Sequence, residues 1–157
     1  MLPSVTSLLL ACVAANPGHH GSADSSSDTA ADPNAMDLTT DRPDLRFWRS
    51  EVPSLVSAIR TAELSYMQAN GAFRETGMAP RPMSALDAVA VDWVPTQDWE
   101  DLGWAPTGRV RGDYFVDVTE GDFAVCGYSD VDDDDVIAVY VATSTSDAER
   151  MTDRHVY

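Results

Sequence analysis

The sequence predicts an α+β fold: one long N-terminal amphipathic helix packed on a small antiparallel sheet of three to four strands. Two observations lead there. Residues 51–70 repeat apolar side chains at spacings of three and four, the period of a helix with one buried face. Residues 111–142 instead alternate, or run apolar in short stretches, between Gly- and Asp-rich turns. A helix followed by strands on short connections gives a two-layer domain.

In the helix, Val52, Leu55, Val56, Ile59, Ala62, Tyr66 and Met67 form the apolar face, while Arg60, Glu63 and Gln68 fall elsewhere. Ser50 is the expected N-cap, with Pro53 in the first turn. Phe47 and Trp48 either extend the helix or pack beneath it, and Asn70-Gly71 ends it. Residues 71–88, with Gly71, Gly77, Pro80 and Pro82, read as an irregular loop. Residues 89–106 carry Trp93, Trp99 and Trp104, either as an aromatic platform for a ligand such as a sugar or as a plug between helix and sheet.

The first strand is expected over 111–118, with Tyr114, Val116 and Val118 on one side and Asp113 and Asp117 on the other. Glu120-Gly121-Asp122 is a turn, and residues 123–128 form a second strand with Cys126 in the core. Residues 130–135 are a polar loop, and 136–142 form a third strand, apolar on both faces and so central. Ser146-Asp147-Ala148-Glu149 suits a capping box on a short turn of helix, and Val156-Tyr157 an edge strand.

Ahead of this unit, 47–157, lie two segments of different character. Residues 13–46 are rich in Ser, Asp, Ala, Thr, Gly and Pro, with too few large apolar side chains to offset the entropy of ordering, and read as a flexible linker. The pair His19-His20 within it has no fixed geometry for a metal. Residues 1–12, ending Leu8-Leu9-Leu10-Ala11-Cys12, are too short an apolar run to span a bilayer and look like the end of a secretory signal. They also resemble the lipobox of bacterial lipoproteins, where the Cys becomes the lipidated first residue of the mature chain, although no Arg or Lys precedes Arg42. That resemblance implies lipidation at Cys12, an exported protein of the cell envelope, and a lipid anchor in the outer membrane. Cys126 would then stay unpaired, and a disulfide-stapled scaffold is not expected.

The chain carries 26 acidic residues against 10 basic ones, all Arg, for a net charge of −16. A surface of that sign repels phosphate backbones, which excludes nucleic acid as a partner. It would also stand off anionic headgroups unless something covalent held it to the membrane.

The stretch from Arg49 to Phe73 resembles the helix of type IV pilin-like proteins, in which a Glu-led helix runs through Ile59-Arg60, Ala62-Glu63 and Tyr66 to an Asn70-Gly71 turn. Leu102-Gly103-Trp104-Ala105-Pro106-Thr107-Gly108 resembles the segment that leads into the first strand of some of these proteins. Tyr114-Phe115-Val116 is similar to the start of that strand, and the Asp-rich loop before Val136 to a later turn. The resemblance spans 49–143. It implies a pilin-like head fold without polymerisation, because the apolar N-terminal half of a pilin helix is absent here. A lipobox-like segment and a polar spacer stand in its place.

The chemistry on offer is sparse. His155 is the only histidine of the 47–157 unit, so no Ser-His-Asp or Cys-His arrangement can be built around a core histidine, and an enzyme is not expected. Asp130, Asp132 and Asp134 could converge on one Ca²⁺, since oxygen ligands suit that ion. The EF-hand pattern fails, because Asp135 stands where Gly is needed and Val141 where Glu is needed. Apart from Ca²⁺ no cofactor is implied. Two functions follow: a membrane-anchored lipoprotein with a non-catalytic structural or interaction domain and an envelope protein as partner, or a ligand-binding lipoprotein for carbohydrate or a Ca²⁺-dependent ligand.

Overall fold

Helix α1 runs from Pro43 to Asn70, 28 residues. It opens on a proline, whose fixed φ suits the first helical position. The computed structural model describes Cys12 and residues 43–153, with side chains in the helix from Phe47 onward. The expected signal segment before Cys12, the part of the expected linker up to residue 42 with His19 and His20, and residues 154–157 with His155 and the expected edge strand Val156-Tyr157 lie outside the described residues.

Two expectations about the helix start are corrected. It begins seven residues ahead of Ser50, taking the last four residues of the expected linker, and Ser50 does not cap it; its hydroxyl donates to the Phe47 carbonyl at 2.7 Å. Pro53 therefore lies in the helix interior, where it lacks the N–H that would reach back one turn. At the other end Gly71 takes φ 78°, and its N–H reaches the Met67 carbonyl at 2.8 Å. Among the described residues no helix is long and apolar enough to cross a membrane.

Five strands form one antiparallel sheet: β1 (Thr76–Ala79), β2 (Asp113–Thr119), β3 (Asp122–Ser129), β4 (Ala138–Thr143) and β5 (Glu149–Arg150), side by side in chain order. The α+β class and the helix-on-sheet arrangement agree with the sequence reading, but the sheet has five strands, not three to four. β1 falls inside the expected loop. The Ser146–Glu149 capping box is not helical: Ser146 N–H bonds back to Thr143 Oγ1 at 3.1 Å, closing a turn that delivers Glu149 into β5. A short helix, α2 (Gln97–Leu102), ends at Gly103, which takes φ 74°.

Alternation divides the sheet into two apolar faces. Tyr114, Val116, Phe123, Val125, Ala138, Tyr140 and Ala142 face α1 and pack with Val52, Val56 and Ile59. The helix packs tightly over Gly127, where an added Cβ would meet the side chains of Val56 and Val52. Arg60 fastens the helix to the end of β4, donating to the carbonyls of Thr143 at 2.7 Å and Ser144 at 2.9 Å. The outer face is also apolar: Ala124, Cys126, Tyr128, Val139 and Val141 are buried there, with Phe115, Met78, Met83, Leu86 and Ile137 around them.

Candidate functional site

Cys12 lies on that outer face. Its sulfur is bonded to Cys126, 114 residues later, with the Cα atoms 5.6 Å apart. Cys126 stands in mid-β3, between Phe115 of β2 and Val141 of β4. Tyr128, two residues on and so on the same face, donates its hydroxyl to the Cys12 carbonyl at 2.8 Å, and its ring stacks on Phe115. Burial raises the Tyr128 phenol well above its ordinary range, so it stays a neutral donor. The expectation of an unpaired Cys126 is thus corrected. In this form the Cys12 sulfur has no valence left for a lipid thioether, the chemistry the sequence leads one to expect there.

The acidic loop after β3 folds around Asp130. This carboxylate is nearly buried and accepts the N–H groups of Asp134 at 3.2 Å and Asp135 at 3.1 Å. Asp133 and Asp135 take left-handed φ of 58° and 63°. Asp135 thus adopts the backbone for which an EF-hand uses glycine. The carboxylates of Asp130, Asp132 and Asp134 offer oxygens within 4.8 Å of one another. Burial, more than mutual repulsion, raises the pKa of both Asp130 and Asp132, and the positive Arg49 on α1 opposes the rise at Asp132. Such oxygens suit a hydrated Ca²⁺, yet both oxygens of Asp130 already accept backbone N–H bonds that shape the loop.

The three tryptophans form a wedge, not a platform. Trp99, on α2, is wholly buried and donates its indole N–H to the Gly77 carbonyl at 2.8 Å, tying α2 to β1. Trp93 meets Trp99 and Trp104 edge-on, at 81° and 89°, and both Trp93 and Trp104 lean on Tyr114. A flat sugar-binding surface needs coplanar exposed rings, which this packing does not give. Beside the wedge, Pro95, Glu100, Gly103, Trp104 and Ala105 line a shallow, open groove of about 290 Å³.

Two polar centres were not anticipated. Arg81, in the expected loop, pairs with the fully buried Asp113 at 3.0 Å, with Asp87 at 2.8 Å, and donates to the Arg111 carbonyl. Burial lifts Asp113 to about 6 against the pull of Arg81. The alternation had placed Asp113 on a polar side; it is there, but covered. Glu63, expected off the apolar face, is also fully buried. One of its oxygens accepts the Arg74 N–H at 3.0 Å, and the other has no hydrogen-bond partner. Burial, opposed by that bond and by the Arg74 charge, lifts it to about 7. The signal was present in the sequence: 52, 56, 59 and 63 continue one stripe. None of the described residues is a histidine.

No family model, curated protein or solved structure matches the chain.

Proposed function

We propose that the chain is an exported bacterial envelope lipoprotein whose α+β unit is a non-catalytic structural or interaction module of the pilin-like head type. The observation that carries this reading is the role of the residues behind the resemblance. Arg60 ties α1 to β4, Glu63 holds the backbone of the segment entering β1, and Gly71 turns the chain out of the helix. Each of these residues thus has a structural part to play in joining helix and sheet, which supports the reading.

Cys12 supports placement outside the cytoplasm by either of its chemistries. A lipid thioether at a lipobox belongs to exported proteins. A disulfide persists where thiol buffers do not reduce it. The two exclude each other in any one molecule, because both need the same sulfur. In the anchored form the acidic spacer would stand the unit away from anionic headgroups.

The test is fractionation of cells making the full chain. Cys12→Ser should move the protein from membrane to soluble fractions, and unchanged partition would remove the anchor. A second reading, a Ca²⁺-dependent ligand-binding lipoprotein, draws on the convergence of Asp130, Asp132 and Asp134.

A further inference from the structure

Two interactions of different kinds hold Cys12 to the outer face of the sheet. One is the bond to Cys126, and the other is the hydrogen bond that Tyr128 gives to the Cys12 carbonyl. Cys12 is fully buried by them. A phenol hydroxyl placed in an apolar face is costly unless it finds an acceptor. The apolar side chains packed around Tyr128 (Phe115, Ala124, Val139 and Val141) offer no acceptor, and Asp113, its cross-strand neighbour, is engaged by Arg81. The backbone of Cys12 supplies it.

We propose that Cys126 and Tyr128 form an intramolecular receptor for Cys12, and that closure onto it competes with lipid attachment at the same sulfur. The competition rests on the lipid-anchor reading above; the receptor does not. In closure each thiol gives up its hydrogen and one S–S bond forms. The two electrons and two protons pass to the disulfide of a thiol oxidase, which leaves as two thiols. In lipid attachment the Cys12 sulfur bonds a glyceryl carbon of a phospholipid donor, the carbon–oxygen bond to the headgroup phosphate breaks, the phosphate leaves with the thiol proton, and no sulfur valence is left for Cys126. A closed molecule is therefore a released one, and an anchored molecule carries a free thiol on β3. The 30 residues from 13 to 42 span at most about 100 Å when extended, which is ample for either state.

The experiment counts thiols in the full-length protein by intact mass, after denaturation and alkylation with and without prior reduction, in soluble and membrane pools. The soluble pool should take no alkyl group until reduced and then two; the membrane pool should take one without reduction. Two alkyl groups on unreduced soluble protein would overturn closure. Cys126→Ala should shift the soluble pool to the membrane several-fold, and an unchanged partition would overturn the competition. The wild-type count needs no variant, so it decides closure even where Cys126→Ala does not fold. Lipid absent from every pool, with the soluble count still none and then two, would end the anchor and the competition and leave the receptor standing.

Discussion

Replacing Glu63 by Gln should abolish most of a pH dependence of stability that the wild type shows between pH 5 and pH 8. The buried carboxyl titrates near 7 in the folded chain against 4.5 when solvated. Below about pH 4.5 the group is protonated in both states, and its contribution to stability is fully present. As pH rises toward 7 the unfolded chain releases the proton first, so stability falls, and above 7 the loss is complete. The rise from 4.5 to about 7 corresponds to about 3 kcal/mol, at about 1.4 kcal/mol per pH unit. The facing charge is Arg74, whose N–H the carboxylate also accepts, and both effects are already contained in that figure. Gln keeps an acceptor for Arg74 and has no proton to lose. Urea midpoints at pH 5 and pH 8, followed by circular dichroism for both proteins, give a double difference in which other titrating groups cancel, Asp113 among them. The wild type should lose about 2.5 kcal/mol more than the variant between pH 5 and pH 8, roughly 10 °C in melting temperature. Parallel curves for the two proteins would refute the argument that Glu63 is buried as a titrating group.

Four further outcomes are expected. Gly127→Ala should cost about 1–3 kcal/mol, because the new methyl group meets Val52 and Val56 where α1 packs on β3; an unchanged denaturation midpoint would contradict that contact. Arg81→Met strands Asp113 in the interior and should cost about 3–5 kcal/mol at pH 8. The cost should shrink at pH 5, where Asp113 takes a proton, and an equal cost at both pH values would count against the ion pair. Trp99→Phe leaves the Gly77 carbonyl without its donor and should cost about 1–3 kcal/mol, with faster amide exchange in β1 as the local readout. Millimolar Ca²⁺ should raise the melting temperature if the converging carboxylates of Asp130, Asp132 and Asp134 take an ion, and no shift would remove the Ca²⁺-dependent reading. Ion binding at a hundredfold above its Kd would add about 2.7 kcal/mol and could not be missed.

What could be read from the chain was whatever depends on local period. The helix face at 52, 56 and 59 follows from its three- and four-residue spacing, the three long strands from alternation or short apolar runs, and the turn at Gly121 from its Glu-Gly-Asp residues. β1 was not legible, because Thr76-Gly77-Met78-Ala79 has no pattern of its own. It is a strand because distant groups hold it: the Trp99 indole on the Gly77 carbonyl, the Asp98 carboxylate on the Gly77 N–H, and Thr76 Oγ1 on the Val116 N–H. β5, two residues long, is likewise set by its neighbour β4. Asp113 and Glu63 were misplaced for one reason: acidic side chains were taken as solvent-facing, whereas Arg81 and the Arg74 backbone admit them to the interior. The Cys12–Cys126 pairing had no local trace, since it joins residues 114 apart, and the lipobox pattern gave Cys12 a different chemistry.

The strand order, which repeats the chain order, has a consequence for how the molecule forms. In a sheet built this way each strand after β2 adds beside its predecessor in the chain and finds its template already made. β3 needs only the Glu120-Gly121 turn to pair with β2, a small closure entropy, whereas β1 must wait across 33 intervening residues. The β2–β3 hairpin is therefore expected to nucleate folding, with β4 next and β1 late. Pulse-labelled hydrogen exchange would show it as early amide protection at residues 114–128, and protection of β1 ahead of that hairpin would reverse the order.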